Sequence, residues 1–347
     1  MPPNVFDPVT RRVPALPPFS QSGPRLEWVA SRYADVREVL ADKRLGVPAV
    51  TEGGPAGSIA WLRASVSRFT NGAAHQHRRG LAVQELAHLD PADLYHIARR
   101  RSRETIVASG GAGTRVDVMA GLARHVPVAS MAELLGSANA AEVADAVIVA
   151  AAAYFPGAGR EQQQRGDTAT AQLVEMFSPL EPEVIVARIA LMIQACDATA
   201  GLIGTALHIL AEQPASAAGV PTETLLEEVL RHSPSLLVTR RIALDATEVD
   251  GVPVAAGEPV VCMVEAANRD PDVFDEPERF APGREAPPSM TFGYGYRPCP
   301  ARSQALMLAA AVVDSVCELC KLIPEQAVEY QAPPGLKLPL RLEVLVR

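Results

Sequence analysis

The sequence predicts a mainly α protein with small β-sheets, an α+β fold, and three observations carry that expectation. Alanine, valine and leucine recur at helical spacing through most of residues 75–210 and again over 222–232. Asp250-Gly251 stands between two short β-prone runs, 247–249 and 252–254, a strong local signal for a tight hairpin. No repeat and no linker divides the 347 residues, so one domain is expected over 26–347, behind an irregular N-terminal arm, 1–25.

Taken in order, a short strand is expected at 26–31 and a helix at about 34–41. The helical stretch from 75 is interrupted twice, by the Gly-rich 109–113 and by the Pro-, Gly- and Gln-rich 156–166. Helices follow at 183–212 and 222–232. Beyond the hairpin come a strand at 259–264, an irregular stretch over 268–298, a helix at 301–319 and an alternating strand at 340–346.

Composition narrows the function classes. Hydrophobic residues make up 48% of the chain, the balance of a helix-rich globule rather than a disordered or fibrous chain. The net charge of −8 speaks against a nucleic-acid partner, which requires a basic surface. The longest apolar run, 146–155, is about half of what a bilayer crossing needs. Residues 1–18 are proline-rich without an apolar signal core. Five cysteines at irregular spacing make no disulfide framework, so reduced thiols and a cytoplasmic location are expected. Cys317 and Cys320 form a single C-x-x-C in an apolar helix, read as packing because a zinc site needs more ligands. The run Arg99-Arg100-Arg101-Ser102-Arg103 is read as a solvated helix face.

The chemistry concentrates in Phe292-Gly293-Tyr294-Gly295-Tyr296-Arg297-Pro298-Cys299-Pro300-Ala301, just before the 301–319 helix. Two glycines allow a tight fold beneath a flat cofactor, and the helix start favours thiolate over thiol at Cys299. Arg297 is suited to pair with an acidic group of that cofactor. Pro300 has no N–H. It either serves as the first helical residue or denies the sulfur a hydrogen bond, which would lower the reduction potential of a bound iron. The segment resembles the haem-binding loop of cytochromes P450, F-x-x-G-x-x-x-C-x-G, with Phe292, Gly295 and Cys299 in place and Ala301 at the last glycine.

Further segments extend the resemblance from about residue 26 onward. Glu228-Val229-Leu230-Arg231 is similar to the family's E-x-x-R, and Arg279 in Pro277-Glu278-Arg279-Phe280 is expected to complete its ion network. His75 and Arg79 resemble H-x-x-x-R, with His77 and Arg78 expected at the surface. Arg241, with Arg240 as the alternative, resembles the arginine that meets the second haem propionate. Residues 28–40 and Asn268-Arg269-Asp270-Pro271 also fit the family.

The resemblance implies a cytochrome P450 fold, with haem b (iron-protoporphyrin IX) sandwiched between a distal long helix and a proximal Cys loop and helix. Its implied binding residues are His75, Arg79, Arg241, Phe292, Gly293, Arg297, Ala301 and Cys299, the last as axial iron ligand. It implies a monooxygenase that tailors a small organic molecule in secondary metabolism. Electrons would come from a ferredoxin/ferredoxin reductase-type donor docking near Arg297 and Arg302, with no nucleic-acid or membrane partner.

One departure bears on mechanism. Where the family has A-G-x-[D/E]-T, this chain has Ala195 for the glycine, Asp197 for the acid and Ala198 for the threonine, and Thr199 lies about 100° further round the helix. Asp197 is the expected proton relay. Either Thr199 substitutes after a local distortion of the helix, or a substrate hydroxyl or water fills the gap, or the enzyme runs peroxide-driven, coupling or desaturation chemistry. A degenerate P450 acting as a binding or recruitment module is the rival outside enzymes. Residues 135–183 and 212–222 are too few for the family's usual lid helices. An open or reshaped pocket is therefore expected, lined from 48–70, Gln194, Asp197, Ala198 and 236–238, and suited to a bulky or carrier-tethered substrate.

Overall fold

A computed structural model describes residues 19–22, 27–50, 52–155, 157–331 and 336–347. Its helices are α1 (Tyr33–Ala41), α2 (Ile59–Ser65), α3 (Gly72–Leu86), α4 (Pro91–Ala108), α5 (His125–Leu134), α6 (Ala140–Tyr154), α7 (Arg160–Met176), α8 (Pro182–Glu212), α9 (Thr222–His232), α10 (Val264–Ala267) and α11 (Arg302–Leu319). The described residues fall into two compact units. The first draws on 1–48, 213–299 and 331–337, the second on 49–212, 300–330 and 338–347.

The first unit is built on a five-stranded sheet in the order Ser20–Ser22, Glu27–Ala30, Pro259–Met263, Val238–Ala243, Leu45–Gly46. Glu27–Ala30 and Pro259–Met263 run parallel; the other pairings are antiparallel. The strand Ser20–Ser22 corrects part of the expected irregular arm. Ser20 pairs with Val29, and Phe19 stacks on Trp28 at 5.1 Å, so cross-strand contacts order a segment with no local strand pattern. Residues 1–18 and 23–26 lie outside the described residues. The hairpin forms where predicted: Asp250 and Gly251 both have positive φ, 49° and 73°, as its tight turn requires. Val36, Val39 and Leu40 of α1 join Val260, Cys262 and Phe274 in one apolar cluster.

The polar centre of this unit is on α9. Glu228 and Arg231 lie one turn apart, each side chain 4% exposed, with Arg231 Nε donating to Glu228 Oε2 at 2.8 Å and Nη2 to Oε1 at 2.7 Å. Arg231 also donates to the carbonyls of Asn268, Pro277 and Arg279, and the Ala281 N–H donates to Glu228. A charge pair removed from water is tolerated only when its remaining protons and lone pairs are met in this way.

The second arginine of the network is Arg284, not the expected Arg279. Arg284 Nε lies 3.6 Å from Glu228 Oε1, while Arg279 faces solvent and pairs with Glu276 at 3.0 Å. A tight turn with Glu276 at φ 46° precedes Arg279, and the Arg279 carbonyl rather than its side chain meets Arg231.

In the second unit α8 is one continuous helix of 31 residues, packed by α3, α5, α6 and α11. By length and composition it is apolar enough to cross a bilayer, which the sequence reading missed by naming 146–155 as the longest run. Two thirds (67%) of its most apolar window is buried in this unit, as in the core helix of a globule. The 156–166 interruption is shorter than expected, because α7 already begins at Arg160. Gly166 reads as a breaker but is a crossing point: a Cβ there would overlap that of Ala153 and lie 3.0 Å from Ile59 Cγ1. Residues 135–183 thus carry two long helices, α6 and α7, packed on each other.

The Arg99–Arg103 run is also more than a solvated face. Arg99 and Arg103 both bind Glu318 of α11 at 2.6 Å, and Arg100 and Arg101 both reach Glu133 of α5.

Two outcomes test the α9 network. Arg284→Met is expected to cost about 3 kcal/mol, because it strips a partner from a buried carboxylate, and Arg279→Met under about 0.5 kcal/mol. Urea unfolding of both variants measures the difference. His232, at the end of α9, is the second probe. Burial, and then the nearby Arg269, lower its pKa from 6.5 to about 4. Between those values the unfolded chain holds the extra proton, so stability falls as pH drops through that window, by roughly 3 kcal/mol in all. His232→Gln should flatten that part of the pH–stability curve.

Candidate active site

The cysteine loop is built outward from α9. The Leu230 carbonyl accepts from Asn268 Nδ2 at 3.1 Å and from Thr291 Oγ1 at 2.7 Å. Asn268 Oδ1 accepts the Met290 N–H at 2.7 Å. From Met290 the chain turns through Gly293, φ 74°, and Gly295, φ 66°, and closes when the Cys299 N–H donates to the Phe292 carbonyl at 2.7 Å. Gly295 cannot carry a side chain here, because a Cβ would lie 2.5 Å from Ala41 Cα and 2.8 Å from the Leu40 carbonyl. Phe292, Gly293 and Arg297 are half-buried around a loop whose end exposes Cys299. Asn268 and Thr291, fully and nearly buried, are supports whose role the sequence reading did not assign.

Pro300 does not open the helix. It lies in a turn, Ala301 is the N-cap and α11 starts at Arg302, so the reading of Pro300 as first helical residue is corrected. Arg241 and Arg240 are separated by strand alternation. Arg241 is buried, with Nη1 on Thr239 Oγ1 at 3.0 Å, whereas Arg240 points outward to Glu27. Aromatic and basic side chains share the loop's surface: Arg37 lies over Tyr294 at 4.9 Å, and Lys43 and Arg297 lie 5.5 and 5.9 Å from the Tyr296 ring centre.

The other predicted residues belong to the second unit. On α3, His75 is buried and Arg79 half-buried. His77 is exposed, as expected, and pairs with Glu183 at 3.0 Å. Arg78 departs from expectation: it is half-buried and donates to the Ala64 carbonyl at 2.7 Å.

Within 194–199 of α8 the half-buried positions are Gln194, Ala195, Asp197 and Ala198, at the spacing of one helix face. Thr199 is only 3% exposed and belongs with Cys196 and Ile203 on the buried side. The helix is regular here, so no distortion carries the Thr199 hydroxyl to the face of Ala198. Burial also pushes the Cys196 thiol well above its ordinary range, which suits packing. Asp197 has a partner the sequence did not reveal. Arg124 Nε donates to its Oδ1 at 3.0 Å, from the point where the π-helix Met119–Ala123 meets α5.

A cavity of about 170 Å³ opens beside this face, lined by Trp61, Leu81, Val186 and Gln194 among others. It takes in part of the expected 48–70 segment and Gln194, while Asp197, Ala198 and 236–238 are not part of its lining.

Residues 221–338, which hold α9, the arginine network and the cysteine loop, match the cytochrome P450 family model. Nocardicin C N-oxygenase of Nocardia uniformis subsp. tsuyamanensis is 26% identical, over 91% of this chain and 89% of its own length. Biflaviolin synthase of Streptomyces coelicolor is 27% identical over 97% and 92%. The crystal structure of P450BioI with an acyl-carrier-protein complex superposes with a TM-score of 0.79 over 95% of each chain, at 18% identity, a likeness of fold. Over most of its length the chain is thus similar to bacterial cytochromes P450, and these relatives support a P450-type monooxygenase.

Proposed function

We propose that the chain is a haem-thiolate monooxygenase that tailors a small organic molecule in secondary metabolism, in the cytoplasm, with a ferredoxin-type electron donor. The observation that carries the site assignment is the closed loop that ends in an exposed Cys299. The residues fit haem b on the chemistry of the donor set. Among the described residues no three His, Cys, Asp or Glu side chains gather to hold a bare ion, so one thiolate suits an iron that brings its own macrocyclic ligands.

Cys299 would hold the iron through its thiolate. Arg241, Arg297, His75 and Arg79 would hold the propionates, with Phe292, Gly293 and Ala301 along the cofactor. When bound, the haem supplies oxygen activation at its iron. Pro300 leaves the sulfur without a donor from the next peptide, which favours electron donation and a lower reduction potential. Asp197 would carry protons from solvent, with its carboxylate oriented by Arg124. Thr199 would reach that path only through a helix distortion, so a substrate hydroxyl or an ordered water is favoured for the gap at Ala198.

A second reading, peroxygenase or oxidative coupling and desaturation on the same fold, draws support from that gap. The antibiotic-pathway names of the relatives belong to those proteins and favour a tailoring role here.

Reduced protein under carbon monoxide is expected to show the red-shifted absorption band that names the family. Cys299→Ser should abolish it while far-ultraviolet dichroism stays unchanged, and a band that survives the substitution would remove the ligand assignment. Ala198→Thr should raise product formed per electron pair consumed by about threefold or more, and Asp197→Asn should slow turnover by about tenfold or more. Equal turnover with peroxide alone and with the reductase system, unaffected by either substitution, would favour the second reading.

A further inference from the structure

The cavity beside α8 has one charge without a counter-ion. Its wall is mostly apolar, with Trp61, Leu81, Val186 and Leu191, and Arg78 stands among them. Arg78 uses one N–H on the Ala64 carbonyl and makes no ion pair among the described residues. The one carboxylate on the wall, Glu183, is held by His77 at 3.0 Å. Elsewhere in this unit Arg99, Arg101, Arg103, Arg124 and Arg188 each meet a carboxylate at 3.0 Å or closer, and Arg63, which has none, spends its donors on the carbonyls of Ala153, Tyr154 and Phe155, whereas Arg78 has one such carbonyl. A half-buried guanidinium beside hydrocarbon carries a desolvation cost that a bidentate carboxylate offsets, and its planar fork matches that group.

We infer that this cavity binds a small apolar molecule through a carboxylate on Arg78, with the hydrocarbon body against Trp61, Leu81 and Val186. The size suits the assignment, since a cavity of about 150 Å³ holds a benzene ring. Ser65 lies on the same wall and carries a hydroxyl for a second polar contact. This names a substrate class for the proposed monooxygenase and rests on that reading for turnover, but not for binding.

The test is calorimetric titration of the haem-loaded protein with 3-phenylpropionate and with its neutral amide. The acid is expected to bind about tenfold tighter or better. Arg78→Gln should remove that preference by weakening the acid alone, Arg78→Lys should retain a preference for the acid, and Ala82→Phe, which fills the cavity, should weaken both probes. Equal binding of acid and amide to the natural protein, or a preference that survives Arg78→Gln, overturns the inference. Should Arg78→Gln fail to fold, the acid–amide comparison on the natural protein and on Arg78→Lys still decides. The carbon monoxide spectrum of each sample is a separate readout: a normal band with no acid preference sinks this inference and leaves the monooxygenase reading standing.

Discussion

The buried pair of Glu228 and Arg231 is the constraint on which the first unit depends. Two charges inside a protein must have every remaining proton and lone pair answered, and here the answering groups are backbone carbonyls and an N–H of the long irregular stretch after α10. That stretch has little secondary structure of its own to hold it. The ion pair therefore does for 268–284 what a ladder does for a strand. On α9 the Leu230 carbonyl, from the residue just before Arg231, starts the polar chain through Asn268 and Thr291 to the cysteine loop. The position of Cys299 is inherited from a salt bridge 68 residues earlier in the chain.

The second unit applies a different constraint, a long core helix that is continuous over 31 residues. Its regularity separates Ala198, on the half-buried face, from Thr199, on the buried one. The missing hydroxyl is thus a property of helix periodicity as much as of composition. Arg124 acts at the same place, reaching Asp197 from a π-helical turn that only the packing of α5 against α8 makes meaningful. The Asp197 carboxylate is met by a partner 73 residues away.

Glycine and arginine show how local signals mislead when tertiary contacts dominate. Gly166 looked like an interruption and proved to be a helix crossing. The Arg99–Arg103 run looked solvated, yet its charges tie α4 to α5 and α11. Arg279 sits in the recognisable motif, but a turn at Glu276 sends its side chain outward and leaves the buried position to Arg284, which no local pattern marks. Arg78 was expected at the surface on sequence grounds and instead lines a cavity.

Periodicity and short motifs determined the α+β class, the boundaries of α8, α9 and α11, the Asp250-Gly251 hairpin, and the loop that ends at Cys299. All of these depend on residues close together in the chain, where φ/ψ preference and side-chain spacing are local physics. Tertiary structure alone decided which arginine completes the Glu228 network, which of Arg240 and Arg241 is buried, what holds Asp197, and that Arg78 faces apolar side chains without a counter-charge. Those outcomes are settled by desolvation and by partners tens to hundreds of residues distant, and a charge carries no mark in sequence of the charge it will meet.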